Sequence, residues 1–408
     1  MKESPKDGRR AENARKKKNK KARKVAGILL AVFAAVFAVV AAICFALPRN
    51  EEPQSPSEPT ETPGSSSPTD ATEGTSASDE PTTEPTTEPV TEPTTEKPQY
   101  PETGSESGTL VKYGSGILRV GNRAFSPDGY VDSVASKYAQ LVSETADALA
   151  GKVKVYDLLI PTSYGVMMPD DIKPKIANYG DQGKNIETVF SKMSGNVVPV
   201  RCFENLMEHR SEYLYFRTDH HWNGIGAYYA YESFCKTKGI TPYTMKQRKE
   251  VTFEGFLGTL YAKTDNDSNL LPADTVYAYL PVSENATMKF TNTSGETYSW
   301  PIIKDVSGWR SDAKYNTFAG SDNPLTVFDN PDVTDGSVCI VIKESFGNAL
   351  LPFLVDHYGK IYEIDYRYWK GNLIDYAKEV GATDIVFANN ISMVSTGLLV
   401  GNLSKIIK

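Results

Sequence analysis

Two of the four histidines in this 408-residue chain stand side by side, in the run Thr218-Asp219-His220-His221-Trp222-Asn223. A carboxylate two residues before an imidazole can hold that ring in one tautomer and stabilise its protonated form, as a general base in acyl transfer requires. Asp219 and His221 have that spacing. A polar turn capped by a buried Trp222 would give the same letters without chemistry, but the scarcity of histidine elsewhere favours a site. A nucleophile is available far downstream. Val338-Cys339-Ile340-Val341-Ile342 reads as a buried strand that runs out through Lys343 and Glu344 to Ser345, with Gly347 and a helical stretch next. Ligand sites in open parallel sheets lie beyond the carboxyl ends of strands. Amides at a helix start can stabilise a developing oxyanion. A serine there is also a common helix cap, and it is Asp219 and His221 that complete a Ser-His-Asp set around it.

Two other uses of these residues compete. Asp219, His220 and His221 could ligate a metal, but consecutive residues rarely converge on one ion without distant ligands, and only His209 and His357 remain as further histidines. No metal and no cofactor is therefore expected. A non-catalytic polysaccharide-binding module is the third reading, with Tyr228, Tyr229, Tyr231, Tyr362, Tyr366 and Tyr368 available to stack on sugars.

The elements that must position these residues follow from periodicity. Apolar residues at helical spacing predict an amphipathic helix over Val131–Ala150, ended by Gly151. Lys154–Ile160 reads as a strand leading to Pro161-Thr162-Ser163, Ile186–Met193 as a helix and Val197–Cys202 as a strand. Asn223 can cap a helix over Gly224–Lys236, with Gly239 beyond its end. Residues 241–330 are polar and rich in Gly, Asn, Thr and Ser, and read as an irregular or β-rich insertion that includes Val276–Leu280. The rhythm then returns: strand Val338–Ile342, helix Gly347–Tyr358, strand Lys360–Ile364, helix Leu373–Val380, strand Asp384–Ala388 and a closing helix over Ser395–Ile407. Strands alternating with helices predict an α/β domain, a parallel sheet with helices on both faces.

The first hundred residues set placement. Residues 1–24 hold twelve Lys/Arg against three acids, a net +9. Val25–Leu47 follows without a charge, long enough to span a bilayer as a helix. The basic block before it leaves the N-terminus in the cytoplasm and exports the rest, so the chain is expected in the cell membrane as a single-pass protein with an extracellular domain. Cleavage near Ala46, as in a signal peptide with a long basic start, is the alternative. Residues 48–107 carry Pro-Thr-Thr-Glu near-repeats from Pro81 to Glu96 and fourteen acids against Arg49 and Lys97, a net −12. So little apolar surface cannot offset ordering entropy, and the stretch is expected to stay extended. At a polyproline-like rise it reaches about 150–200 Å, a tether suited to holding a head out through a cell wall. The formal −7 of the chain leaves −4 for residues 108–408, no electrostatic match for nucleic acid. Cys44 falls in the apolar segment. Cys202, Cys235 and Cys339 form neither a disulfide framework nor a zinc ribbon, although a Cys202–Cys235 bridge stays open.

The Asp219-His220-His221-Trp222 tetrapeptide, with Tyr215-Phe216-Arg217 before it and Gly226-Ala227-Tyr228-Tyr229-Ala230 after it, resembles the signature of the DHHW family of exported bacterial proteins. The resemblance extends to Ile160-Pro161-Thr162-Ser163-Tyr164 and to Ile342-Lys343-Glu344-Ser345-Phe346-Gly347-Asn348 with Pro352-Phe353-Leu354, most of residues 115–395. The family is similar to the SGNH-like domains of alginate O-acetyltransferase proteins, where an Asp-x-His pair precedes the nucleophilic serine. The resemblance thus implies a flavodoxin-like, SGNH-hydrolase-like fold, with Asp219 as orienting acid, His221 as base and Ser345 as nucleophile. His220 and Trp222 are secondary residues of the motif. The Phe346 amide and a second donor, from Asn348 or from the loop after Ile364 that holds Arg367, would bind the oxyanion. Relatives usually carry Asp before the serine, where this chain has Glu344. The function implied is transfer of acetyl to a cell-surface polysaccharide, supplied by a membrane-bound O-acyltransferase. An acetylesterase would use the same residues.

Overall fold

The strand that carries Ser345 shows how the sequence builds the domain. Val338–Lys343 is apolar up to its final lysine because both its faces are covered, as in a parallel sheet packed between helices. Cys339 and Val341 point into one core, Ile340 and Ile342 into the other. The computed structural model describes residues 102–103 and 108–408. The basic block, the Val25–Leu47 segment and nearly all of the Pro/Thr/Glu-rich stretch lie outside these. Among the described residues no helix is long and apolar enough to cross a membrane.

In chain order the strands are β1 Val111–Lys112, β2 Leu118–Val120, β3 Arg123–Phe125, β4 Lys154–Ile160, β5 Val197–Pro199, β6 Glu250–Phe256, β7 Asp274–Tyr279, β8 Thr287–Thr291, β9 Thr297–Ser299, β10 Leu325–Asp329, β11 Val338–Lys343, β12 Lys360–Asp365 and β13 Asp384–Asn390. Eight of them form one sheet in the order β5-β4-β13-β11-β12-β10-β8-β9. The five from β5 to β12 are parallel, and Lys343 at the end of β11 pairs with Ala388 of β13 and Asp365 of β12. Helices Asp132–Ala148, Gln182–Phe190, Leu373–Glu379 and Gly397–Leu403 cover one face, and Gly224–Lys238 with Leu351–Leu354 the other. This is the expected α/β arrangement over its parallel half.

The stretch 241–330 is not one insertion. β8, β9 and β10 join the sheet antiparallel, extending it beyond β12, while β6 and β7 form a separate two-stranded sheet with a register shift between Phe253 and Phe256. β8 and β10 bury only alternate residues, such as Met288, Thr326 and Phe328, so their sequences look polar. The helix expected over Gly347–Tyr358 is broken into a 3-10 turn Ser345–Ala349, a helical turn Leu351–Leu354 and a second 3-10 turn Val355–His357. Pro352 has no N–H to continue a helix begun before it. Cys202, Cys235 and Cys339 are buried and free, so the bridge left open by the sequence is not formed.

Candidate functional site

The Asp219–His221 segment is a tight loop held from three sides. Tyr215 and Trp222 pair across it, with the Phe216 N–H donating to the His221 carbonyl and the Asn223 N–H to the Leu214 carbonyl. The buried Asp274 carboxylate, at the start of β7, accepts from the N–H groups of Arg217 and Thr218 and from the Thr218 hydroxyl. Arg123, from β3, donates to the carbonyls of Tyr215 and Phe216. Beyond the loop, Asn223 caps Gly224–Lys238 by accepting from Ile225 and Gly226, and Gly239 closes that helix in the left-handed conformation. Gly226 is needed there, since a Cβ would lie 2.5 Å from the Leu214 carbonyl.

Ser345 arrives from the other direction, at the carboxyl end of β11. Its Oγ lies 2.7 Å from His221 Nε2, and His221 Nδ1 lies 2.6 Å from Asp219 Oδ1. With Nδ1–H donated to the carboxylate, Nε2 is left to accept the serine proton. Asp219 is saturated: it also accepts from the His221 N–H at 3.0 Å, the Thr259 N–H at 2.7 Å and the Thr259 hydroxyl at 3.0 Å. Burial alone would raise its pKa, but the two imidazoles and the Thr259 amide outweigh it and hold the carboxyl well below the usual range. Gly258 makes room, because a Cβ there would stand 2.3 Å from the Asp219 carboxylate.

His220 points the other way. Its Nδ1 lies 2.8 Å from the Thr259 hydroxyl, whose own hydrogen goes to Asp219, so Nδ1 of His220 is the donor in that pair. Desolvation and the adjacent His221 ring push His220 down to about 4, leaving it neutral at neutral pH. Trp222 donates from Nε1 to the Phe346 carbonyl at 2.9 Å and so ties the two halves of the site together. The possible ligand atoms of Asp219, His220 and His221 lie within 4.8 Å of one another. Both ring nitrogens of His221 are already committed, to Asp219 and Ser345. A metal would have to displace one of these bonds.

The three residues considered for the oxyanion are not brought together. The Phe346 N–H lies beside Ser345 but donates at 3.3 Å to the Glu344 carboxylate, which caps the turn. The longer side chain of Glu344 also reaches the Asn390 N–H at the end of β13. Asn348 is buried, bonded to Asp322 and Lys343. Arg367 is paired with Asp365 and Asp322. Lys343, fully buried, joins Glu363 at 2.8 Å to the same cluster, and these paired charges support the serine turn from beneath. Sequence reasoning missed Thr259, Asp274, Gly258 and Tyr315. The Tyr315 ring stacks on His221 and its hydroxyl donates to the Ser345 carbonyl. None of these four lies in a local pattern that marks it.

Comparison with known proteins agrees with this architecture. A family model described as "DHHW protein" matches residues 97–364. A DHHW family protein from Eubacterium siraeum superposes with a TM-score of 0.65 at 27% identity, over 74% of this chain and 99% of that one. Bacillus cereus PatB1, determined with a sulfonyl adduct, superposes with a TM-score of 0.59 at 17% identity, over 72% of this chain and 98% of that one. It shares the fold. No curated protein sequence matches.

Proposed function

Since the chain belongs to the DHHW family, we propose that it is an extracytoplasmic O-acetyltransferase, anchored by residues 25–47, that modifies a cell-wall or capsular polysaccharide through an acetyl-serine intermediate. The observation that carries this reading is the continuous hydrogen-bonded line Ser345–His221–Asp219. His221 Nε2 takes the Ser345 proton as Oγ attacks an acetyl carbonyl, and Asp219 stabilises the imidazolium formed. Collapse of the tetrahedral intermediate expels the donor's oxygen, which takes the proton from His221. A glycan hydroxyl then attacks the acetyl-serine, its proton passing through His221 back to Ser345 Oγ. The Phe346 N–H, next in the chain to Ser345, is the amide offered to the oxyanion, and its long bond to Glu344 is easily exchanged for one to a developing charge. General base catalysis contributes on the order of 10²–10⁴ in rate, and an oxyanion donor a similar factor. The acetyl donor is a membrane-bound O-acyltransferase, since no acetyl-coenzyme A is available outside the cell.

Water in place of the glycan gives an acetylesterase with the same residues. The sign of one measurement separates them. Ser345→Ala at the native locus lowers alkali-labile acetate on purified wall or capsular polysaccharide if the protein is a transferase and raises it if it is an esterase. Unchanged acetate in that strain, with a phenotype on deletion, returns the head to sugar binding without catalysis. In vitro, Ser345→Ala and His221→Ala each abolish turnover of an activated acetyl ester with little change in melting temperature. The double variant is scarcely worse than either single one, because the members of such a pair act as a unit. His220→Ala retains more activity; the reverse order for the two histidines overturns the assignment.

A further inference from the structure

The carboxyl edge of the sheet continues past Ser345 into a cavity of about 200 Å³ that the proposed chemistry does not use. It is lined by Phe346 and His220, the immediate chain neighbours of Ser345 and His221, together with Asp128, Thr162 and Asn390. Thr162 and Asn390 stand at or just beyond the ends of β4 and β13, the strands on one flank of β11.

This wall is built and not merely exposed. Oδ2 of Asp128 accepts from Gln182 Nε2 at 2.5 Å and from the Thr162 hydroxyl at 3.3 Å. Gln182 is buried and locked in turn: its Oε1 accepts from the Thr162 N–H at 2.9 Å. Gly165 gives it space, since a Cβ there would stand 2.2 Å from that oxygen. No other described residue donates to Oδ1 of Asp128. Asn390 is 6% exposed, and its Oδ1 accepts from the Ser392 N–H at 2.9 Å and from the Ser392 hydroxyl. Among the described residues nothing accepts from its Nδ2. A carboxylate oxygen and an amide donor, neither bonded to another described residue and both open to the cavity, therefore line it beside the nucleophile. A hydroxyl group, which both donates and accepts, is the chemical complement of such a pair.

We propose that this cavity seats one neutral pyranose unit of the acceptor glycan, with Asp128 accepting from its hydroxyls and Asn390 donating to them. The inference rests on the acyl-serine reading of Ser345. A ring held there presents an adjacent hydroxyl to the acetyl group: its oxygen bonds the carbonyl carbon, the bond to Ser345 Oγ breaks, and the proton passes through His221 to that oxygen. The charges on the wall argue for neutrality. Asp128 is the carboxylate of the pocket and Lys263, at an exposed position, its ammonium, so a uronate ring would bring a second negative charge against Asp128. Burial raises Asp128 to about 6, with Gln182 and Thr162 opposing, so it is ionised above that pH.

Full-length protein in detergent, with 4-nitrophenyl acetate as donor and chitopentaose as acceptor, tests this. The quantity read is the ratio of acetylated pentasaccharide to free acetate, a partition of one acetyl-enzyme that does not depend on how fast it forms. Asp128→Asn keeps the size; with its oxygen still facing Gln182, its NH₂ replaces the free acceptor by a donor. Asn390→Asp makes the opposite exchange. Each lowers the ratio by about tenfold or more, the cost of one mismatched hydrogen bond near a charge. Oligomannuronate is a poor acceptor for the unaltered protein. Ratios within twofold of wild type in both variants, measured on protein whose melting temperature is retained, overturn the subsite. So does oligomannuronate accepting as well as chitopentaose. Ester cleavage that survives Ser345→Ala overturns the underlying acyl-serine reading instead.

Discussion

Tyr315 lies nearly parallel to the His221 imidazole, ring centroids 3.9 Å apart, and its hydroxyl donates to the Ser345 carbonyl at 2.9 Å. One side chain thus fixes the plane of the His221 imidazole and the backbone of Ser345. The two contacts can be separated. Tyr315→Phe keeps the stack and loses one hydrogen bond, and is expected to lower kcat/KM about threefold to tenfold. Tyr315→Leu loses the flat surface as well and should cost clearly more, with the loss mainly in kcat because the base is misaligned. Equal activity of the two variants in a steady-state ester assay would show that the stack does nothing. Tyr315 also marks the limit of what the letters reveal. Asp219 and His221 are legible because an acid two residues from an imidazole is a local relation. Ser345 is legible because a buried strand ending in a small polar residue is a local pattern. Tyr315, Thr259 and Asp274 act across long sequence distances from stretches without periodicity, and only the folded backbone brings them to the loop.

At the scale of elements, β4 and the helix Asp132–Ala148 meet through a buried pair, Tyr138 donating to Asp157 Oδ1 at 2.5 Å. Among the described residues Oδ2 of Asp157 has no partner, and burial pushes this carboxyl up to about 7 although the Tyr138 bond opposes it. The unfolded chain releases the same proton near 4, so between about 4 and 7 the folded state binds more protons than the unfolded one. Asp157 therefore favours folding most at the acidic end of that window, and its contribution falls as pH rises, by at most about 1.4 kcal/mol per pH unit. Asp157→Asn keeps an acceptor for Tyr138 and removes the titration. Its melting temperature should approach that of wild type near pH 5 and exceed it near pH 8; a difference that does not vary with pH would refute the buried, protonated acid. Glu363, also raised to about 7 by burial against the pull of Lys343, contributes with the same sign in both proteins and cancels in the comparison. β4 and β11 were legible as strands for the reason that makes Asp157 titrate high: both faces are covered and the run is nearly all apolar. β8, β9 and β10 look like insertion because β8 and β10 bury only alternate residues and β9 is exposed throughout, and so short a polar run does not stand out from a loop.

For the whole molecule, the division of charge is the strongest remaining statement about placement: +9 in residues 1–24, −12 in residues 48–107 and −4 in the rest, with Val25–Leu47 uncharged between the first two. Basic residues before an apolar span hold that end in the cytoplasm, and an acidic, proline-rich stretch after it predicts an extended spacer. The proposed chemistry needs this arrangement. In the proposed chemistry an acetyl group delivered across the membrane would meet Ser345 on one side and a wall polymer on the other, and the expected tether, at a reach of about 150–200 Å, would allow one head to visit both. Protease added to intact cells should therefore release a soluble fragment beginning within residues 48–107, while the cytoplasmic end stays with the membrane. If the apolar segment is instead a signal cleaved near Ala46, the head appears in the medium with no protease added. If the head resists protease until the cells are lysed, the topology is inverted, and an extracellular acceptor for Ser345 is ruled out along with it.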